Sequence, residues 1–260
     1  GRTGRLLAVR WPGRSAHAER GLLVVSPFAE EMNKCRPMMA RAAADYGTRH
    51  GAALLVDLYG TGDSEGDFRD ATVARWRYDL RSAIEWLEGE GVRTLDVLAL
   101  RAGALLPVRD VLGPRIEPGR LALWQPVVRG QQAMTQFLRM RLAGAMVAGQ
   151  QGAAEDPRAV ARERGFVEVA GYDLSESLVR EFDELALPAT LAAGWQSLLA
   201  LEVAEAAGES ASPALRKALD GIGLPADQLH TGVVAGDPFW STPEIATVPE
   251  LLRRTAEFFG

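Results

Sequence analysis

An arginine stands in a tight strand-to-helix turn whose other residues are typical of a nucleophile site. The turn reads Ala99-Leu100-Arg101-Ala102-Gly103, between a buried apolar run and a helical pattern. The central residue of such a turn is commonly a serine, in the pattern G-x-S-x-G, held above the sheet for attack on a carbonyl. A guanidinium stays protonated at neutral pH and cannot attack. We expect Arg101 either to bind a carboxylate, phosphate or sulfate beside a helix N-terminus, or to pack and pair with a nearby acid.

The histidine that such a turn requires does not follow the last predicted strand. The chain contains three histidines: His17, His50 and His230. The first two come early in the chain, and the third begins the last strand, on the far side of the sheet from the turn. We expect Asp237, after that strand, to lie within reach of Arg101, where a pair would keep both groups charged and inert. Trp240 follows as a candidate substrate-binding residue. Loss of both nucleophile and base excludes ordinary Ser-His-Asp hydrolysis.

A dense run of polar side chains lies between the first inner strand and the first predicted helix. It comprises the following residues: Glu30, Glu31, Asn33, Lys34 and Arg36. Acids before a helix N-terminus are favourable by about 0.3–1 kcal/mol, so helix capping is one interpretation. The other is a polar pocket wall in which Glu30 or Glu31 is a general base and Phe28, Asn33 and Lys34 bind substrate.

A glycine-rich loop, DLYGTGDSEG, runs from Asp57 to Gly66 after the next buried strand. Its glycines allow sharp turns at the carboxyl end of that strand, where open sheets bind ligands. Shaping the edge of the site is the favoured interpretation, with Asp63 as a candidate binding residue and Ser64 as a candidate catalytic one. Ala102 and Gln125, near the same sheet edge, are further candidate binding residues.

The single cysteine, Cys35, lies between Lys34 and Arg36 near a helix start. Positive neighbours lower the pKa of a thiol. No histidine is placed to serve Cys35, so the sequence favours a small buried thiol over a nucleophile. One cysteine also excludes an intrachain disulfide.

Short apolar runs alternate with amphipathic helical patterns, which is typical of an α/β fold with a mainly parallel sheet covered on both faces. Residues 6–11 and 21–25 predict an opening hairpin, and Arg36-Pro37 predicts the start of a helix ending near Arg49. Further strands are predicted at 52–57, 95–100, 121–128, 198–203 and 231–235, with helices at 71–88, from 102, near 212 and at 248–259. Residues 130–187 depart from this alternation and predict an inserted helical cap. Its stripe of Met and Phe at 134–142 indicates core, a lid, an acyl-binding surface or a dimer face. The core domain is predicted to comprise residues 1–129 and 188–260.

The composition excludes several classes of function. The chain has 260 residues, 47% hydrophobic and 24% charged, with a net charge of −5. Its Lys and Arg residues are scattered among acids, so a nucleic-acid partner is not expected. No apolar run approaches the roughly 18 residues that a membrane span needs. We expect a cytoplasmic protein with a small-molecule or glycan substrate and without cofactor or metal. A homodimer is compatible with the sequence.

Five blocks of sequence carry a resemblance to a known family. They are PFAEEMNK (27–34), DLYGTGDSEGDF (57–68), LRAGALL (100–106), LWQPVVRGQQAMTQFLR (123–139) and AGYDLS (170–175). Together they resemble the second of two families of exosortase-A-system-associated hydrolases, within the α/β-hydrolase superfamily. The resemblance implies an α/β-hydrolase fold, arginine at the elbow, and a place among bacterial genes for exopolysaccharide production and protein sorting. The chain departs from the family at Ala102, where a larger apolar residue is expected, and at Cys35, where a small or hydroxyl residue is expected.

Two hypotheses of function follow. The first is a hydrolase or acyl-transfer enzyme acting on an ester-type or acylated-glycan substrate. Its non-standard site would draw on these residues: Arg101, Asp237, Glu30, Glu31, Asp63 and Ser64. The second is a catalytically inactive relative that binds an anionic glycan, a lipid-linked sugar or a partner protein near Arg101.

Overall fold

A seven-stranded sheet forms the centre of the chain. The computed structural model describes residues 4–15, 18–106, 109–147, 155–187, 194–220 and 222–260, with only the backbone of 142–147. The described strands are β1 (Ala8–Trp11), β2 (Arg20–Val25), β3 (Ala53–Val56), β4 (Thr94–Leu100), β5 (Glu117–Trp124), β6 (Phe166–Val169), β7 (Tyr172–Ser175), β8 (Ser197–Ala204) and β9 (Leu229–Ala235). The large sheet has the order β1-β3-β2-β4-β5-β8-β9, and β6 and β7 form a separate pair. All neighbours in the large sheet are parallel except β1 and β3.

Helices cover both faces of the sheet, which confirms the predicted fold class. The α-helices are α1 (Ala29–Arg49), α2 (Val73–Gly89), α3 (Gly130–Val147), α4 (Pro157–Arg164), α5 (Glu176–Glu184), α6 (Pro213–Leu219) and α7 (Pro249–Phe259). The central strands are buried on both faces, as their nearly continuous apolar sequences require. In the register of β4, Ala99 lies opposite Val25 of β2 and Leu123 of β5. The carboxyl ends of these three strands therefore meet at one edge of the sheet.

The predicted opening hairpin is wrong. β1 pairs with β3 in antiparallel register, and β3 in turn pairs with β2. β2 is almost wholly buried, so it takes an inner position between β3 and β4, whereas the more exposed β1 forms the sheet edge.

The first helix starts seven residues before the predicted position. α1 begins at Ala29 and contains Pro37 in its interior. Proline lacks an N–H, so the carbonyl of Asn33 loses its helical partner, but the helix continues on both sides. The polar run at 30–36 therefore occupies the first two turns of a helix rather than a loop, with Glu30 and Glu31 in the first turn.

The segment that follows β4 also differs from the sequence prediction. In place of the α-helix predicted from residue 102, the structure has a short 3₁₀ helix at Arg101–Leu105. Between β5 and β8, α3, α4, the β6–β7 pair and α5 follow one another, and Phe182 of α5 packs on Trp76 of α2. Across the described ranges, no helix combines the length and apolar character that crossing a bilayer needs.

Candidate functional site

The turn after β4 keeps the geometry of a nucleophile elbow. Arg101 has φ +49°, in the left-handed region of backbone conformation. A non-glycine residue that adopts this region costs about 1–3 kcal/mol. A Cβ on Gly103 would lie 2.5 Å from the carbonyl oxygen of Ser26 and 2.7 Å from that of Val25, so only glycine lets this turn pack on β2. The strained backbone thus presents an arginine where hydrolases present an attacking oxygen.

The residues after the two flanking strands adopt the same unusual backbone conformation. Ala29, beyond β2, has φ +54°, and Gln125, beyond β5, has φ +42°. Such strain persists where surrounding structure enforces it and clusters at functional sites. Strained, non-glycine residues therefore lie in the connections that follow three neighbouring strands, and one of them, Ala29, is the first residue of α1.

Glu31, not Asp237, is the carboxylate partner of Arg101. Nε of Arg101 lies 3.2 and 3.3 Å from the two carboxylate oxygens, and Nη2 donates to Oε1 at 2.9 Å. The Arg101 side chain is 16% exposed and that of Glu31 is 32% exposed. Asp237 is exposed and, among the described contacts, forms no ion pair with Arg101. The expectation of an Arg101–Asp237 pair is therefore wrong, because the inward positions of that turn are taken by Phe239 and Trp240.

The Arg101–Glu31 pair lines a cavity of about 350 Å³ whose surface is mostly apolar. The ring of Trp240 lies over the guanidinium, with its centroid 5.0 Å from Cζ. The lining residues are Phe28, Glu30, Glu31, Lys34, Arg101, Ala102, Val127, Ala133, Gln136, Phe137, Met140, Trp240 and Ser241. Such a lining, mostly apolar with a few convergent polar groups, is typical of small-molecule sites.

Lys34 fastens the loop that carries Trp240 to α1. Its Nζ donates to the carbonyls of Thr242 at 2.7 Å and Pro243 at 3.1 Å, and lies 3.9 Å from Glu30. The ammonium of Lys34 thus orders the cavity wall rather than standing free.

Five of the predicted site residues do not line the cavity. They are Asp237, Ser64, Asp63, Asn33 and Gln125. Ser64 accepts from the N–H of Leu7 at 2.8 Å and donates to the carbonyl of Asp57 at 2.5 Å, which supports the structural interpretation of its loop. Asp63 is exposed, and its N–H donates to the carboxylate of Asp57.

Asn33 and Gln125 also join parts of the fold. Nδ2 of Asn33 donates to the hydroxyl of Tyr172 at 3.3 Å, which connects α1 to β7. The side-chain oxygen of Gln125 accepts from the N–H of Val203 at 2.6 Å, which ties the end of β5 to β8.

No residue of α3 was among the predicted site residues, although a lid or an acyl-binding surface was one interpretation of its apolar stripe. Ala133, Gln136, Phe137 and Met140 of that helix line the cavity, together with Val127 before it. The stripe of apolar residues at helical spacing was the available signal, but such a stripe is as typical of a core.

Cys35 is fully buried one turn from Glu31. Burial raises the pKa of its thiol, and the negative charge of Glu31 raises that pKa further against the opposite effect of Arg101. The inert, small buried thiol is therefore the better interpretation.

The described histidines lie away from the cavity. His50 caps the C-terminus of α1 and contacts the ring of Tyr46, and His230 of β9 contacts Phe258. His17 lies outside the described residues. Within the described ranges, no cluster of His, Cys, Asp or Glu could hold a metal ion.

The overall architecture is shared with solved hydrolase structures. No protein-family model matches the chain, and no curated protein matches it. Est1E from Butyrivibrio proteoclasticus, solved with ferulic acid bound, superposes with a TM-score of 0.66 at 14% identity, over 98% of this chain and 94% of that one. A structure from a study of the metagenome-derived lipolytic enzymes LipS and LipT superposes with a TM-score of 0.62 at 15% identity, over 96% of both chains. Proline iminopeptidase from Mycobacterium smegmatis superposes with a TM-score of 0.59 at 14% identity, over 98% of this chain and 94% of that one. The chain therefore has the α/β-hydrolase fold, with an arginine at the elbow where that fold places its nucleophile.

Proposed function

We propose that this chain binds a small amphipathic molecule in the cavity beside Arg101 and does not hydrolyse it by the serine–histidine route. The observation that carries the proposal is the bidentate Arg101–Glu31 pair at the elbow. The guanidinium cannot act as a nucleophile, and the carboxylate nearest to it is engaged by two charge-assisted hydrogen bonds. The elbow is thus equipped to hold a ligand rather than to attack it.

The other nucleophile candidates offer no replacement. Ser64 is hydrogen-bonded within its own loop, and Cys35 is buried with a raised pKa. Ser241 lines the cavity, but its hydroxyl donates to the carbonyl of Pro238 at 3.2 Å, and no described histidine lines the cavity to activate it. Nucleophilic catalysis needs a base within hydrogen-bond reach of the nucleophile.

The shape and lining of the cavity support binding of a ligand with an apolar body. Phe28, Val127, Phe137 and Met140 provide apolar walls, and the charged groups provide a polar region. Burial of apolar surface contributes about 25 cal/mol per Å², so such walls supply affinity while the polar groups set orientation.

A second candidate function is hydrolysis or acyl transfer on an ester or acylated glycan without a serine. One observation favours it: Glu30 is an exposed carboxylate on the cavity wall that is not bonded to Arg101. In that role Glu30 would be a general base for water, with Arg101 stabilising developing negative charge.

We also propose a cellular setting from the sequence resemblance. The five matching blocks support a role in a bacterial exopolysaccharide and exosortase system, in the cytoplasm. In that setting a lipid-linked or acylated sugar would supply both the apolar body and the polar head that the cavity suits.

The experiment offers the protein p-nitrophenyl esters from butyrate to decanoate and an acetylated glycan, and measures both binding and turnover. We expect saturable binding, followed by ligand-observed NMR, with every bound ester recovered intact. Ala133→Trp, which fills the cavity, should abolish binding. Turnover above buffer that Glu30→Gln or Arg101→Ala removes would refute the proposal in favour of the enzyme.

A further inference from the structure

We infer that Glu31 sets the ligand class of this cavity: it favours uncharged head groups, above all those that both donate and accept hydrogen bonds, and excludes carboxylates. The ligand would be an amide, an alcohol or a sugar with an apolar body. This inference rests on the proposed function, since it concerns the same cavity. It differs from the expectation of an anionic ligand, which took no account of the ion pair between Arg101 and Glu31.

The charges that line the cavity balance. Two cations, Arg101 and Lys34, stand beside two carboxylates, Glu30 and Glu31. Glu31 engages Arg101, while Lys34 donates to two backbone carbonyls and lies near Glu30. A bound anion would therefore meet no uncompensated cation, and would pay for desolvation without a matching counter-charge.

The ion pair nonetheless keeps hydrogen-bonding capacity on both partners. Glu31 uses Nε and Nη2 of Arg101, and within the described residues Nη1 has no hydrogen-bond partner. Oε2 of Glu31 receives one bond, at 3.3 Å, and a carboxylate oxygen accepts more than one. A carboxamide or hydroxyl can accept from Nη1 and donate to Glu31 at once, whereas a carboxylate can only accept and brings its charge against Glu31.

The remaining walls exclude a purely polar ligand. The ring of Trp240 covers the guanidinium, and Phe137, Met140 and Val127 add apolar surface. A ligand that left these walls bare would forgo most of the binding free energy that the cavity offers.

The test uses two probes that differ in the head group alone, 4-phenylbutyramide and 4-phenylbutyrate. Their dissociation constants are measured by calorimetry at pH 7 for the wild-type chain, for Glu31→Gln and for Glu85→Gln. The last is the matched control, since Glu85 pairs with Arg81 on the exposed surface of α2, outside the cavity. For the wild type we expect the amide to bind at least about tenfold more tightly than the carboxylate, because only the carboxylate loses charged hydrogen bonds to water without gaining a free cation.

Glu31→Gln should reverse this preference, because the neutral amide leaves Arg101 free to form a bidentate pair with the carboxylate probe. Glu85→Gln should keep the wild-type preference. A wild type that prefers the carboxylate, or a Glu31→Gln variant that keeps the wild-type order, overturns the inference.

The test stays decisive if Glu31→Gln fails to fold, because the wild-type comparison needs no variant. The double variant Glu31→Gln/Arg101→Met carries neither charge, so it should not show the preference for the carboxylate that is expected of Glu31→Gln. Failure of the proposed function has a different signature: ester turnover, or no binding of either probe to the wild type, whereas failure of the inference is binding in the wrong order.

Discussion

Replacing Glu31 or Arg101 tests whether their ion pair holds the elbow in place. Each charge-assisted hydrogen bond contributes about 1.5–3 kcal/mol where it is buried, whereas fully exposed pairs contribute about 0.2–1 kcal/mol. The side chains are 16% and 32% exposed and the pairing is bidentate, so the coupling lies between these limits. We expect a coupling free energy of about 2 kcal/mol in a double-mutant cycle. A loss of that size lowers Tm by about 4–8 °C in a chain of this length.

The assay is urea unfolding followed by tryptophan fluorescence for the wild type, Glu31→Gln, Arg101→Met and the double variant. The exposed pair of Arg81 and Glu85 provides a parallel cycle, with an expected coupling of about 0.3–0.5 kcal/mol. A coupling between Arg101 and Glu31 no larger than that of the control pair would show that the elbow does not depend on the ion pair.

Three further predictions concern the scaffold around the site. Gly103→Ala should destabilise the fold by more than about 2 kcal/mol in urea unfolding, because its Cβ would meet the backbone carbonyls of Val25 and Ser26. Gly89→Ala, at the end of α2 with no atom from outside its own helix within 4 Å of its Cβ, should keep or slightly raise stability. Similar losses for both variants would contradict the packing argument. Ala170 and Gly171 connect β6 to β7 and both have positive φ, as the central residues of a type I′ turn require. Asparagine is preferred at the first of these positions, so Ala170→Asn should raise the free energy of unfolding by about 0.5–1 kcal/mol. A decrease would count against that turn. Burial lowers the pKa of His50 in the folded state, so its contribution to stability is present above the unfolded pKa of about 6.5 and is lost as the pH falls through the lower folded pKa. His50→Asn should therefore flatten the stability profile below pH 6.5, and a profile parallel to that of the wild type would refute this assignment.

The elbow could be predicted from the sequence because its signals are local. A buried strand, an immediate turn and Gly103 at fixed spacing determine where Arg101 stands, and the structure keeps that arrangement. The alternation of apolar runs with helical patterns likewise predicted the mainly parallel sheet.

The ion-pair partner of Arg101 could not be predicted from the sequence of the elbow. Pro37 indicated a helix start, which put Glu31 in a loop, whereas α1 begins at Ala29 and brings Glu31 to the elbow in its first turn. Asp237 had the expected position in the chain, but Phe239 and Trp240 occupy the interior, and Asp237 faces solvent. Which residue of a turn faces inward depends on the burial of its neighbours.

Contacts between distant segments were the other limit. β1 and β2 are adjacent in sequence, yet β3 separates them, because the fully buried β2 requires a strand on each side. The apolar stripe of α3 was visible in the sequence, but only the fold decides that Phe137 and Met140 line a cavity.

The central claim, that the elbow holds a ligand and presents no attacking group, is tested most directly by a fluorophosphonate probe and intact-mass spectrometry. This reagent forms a covalent adduct with the activated serine of working hydrolases that share this fold, so one of these serves as the positive control. We expect the mass of the wild-type chain to remain unchanged after prolonged incubation. A stoichiometric adduct that maps to a residue lining the cavity would contradict the account.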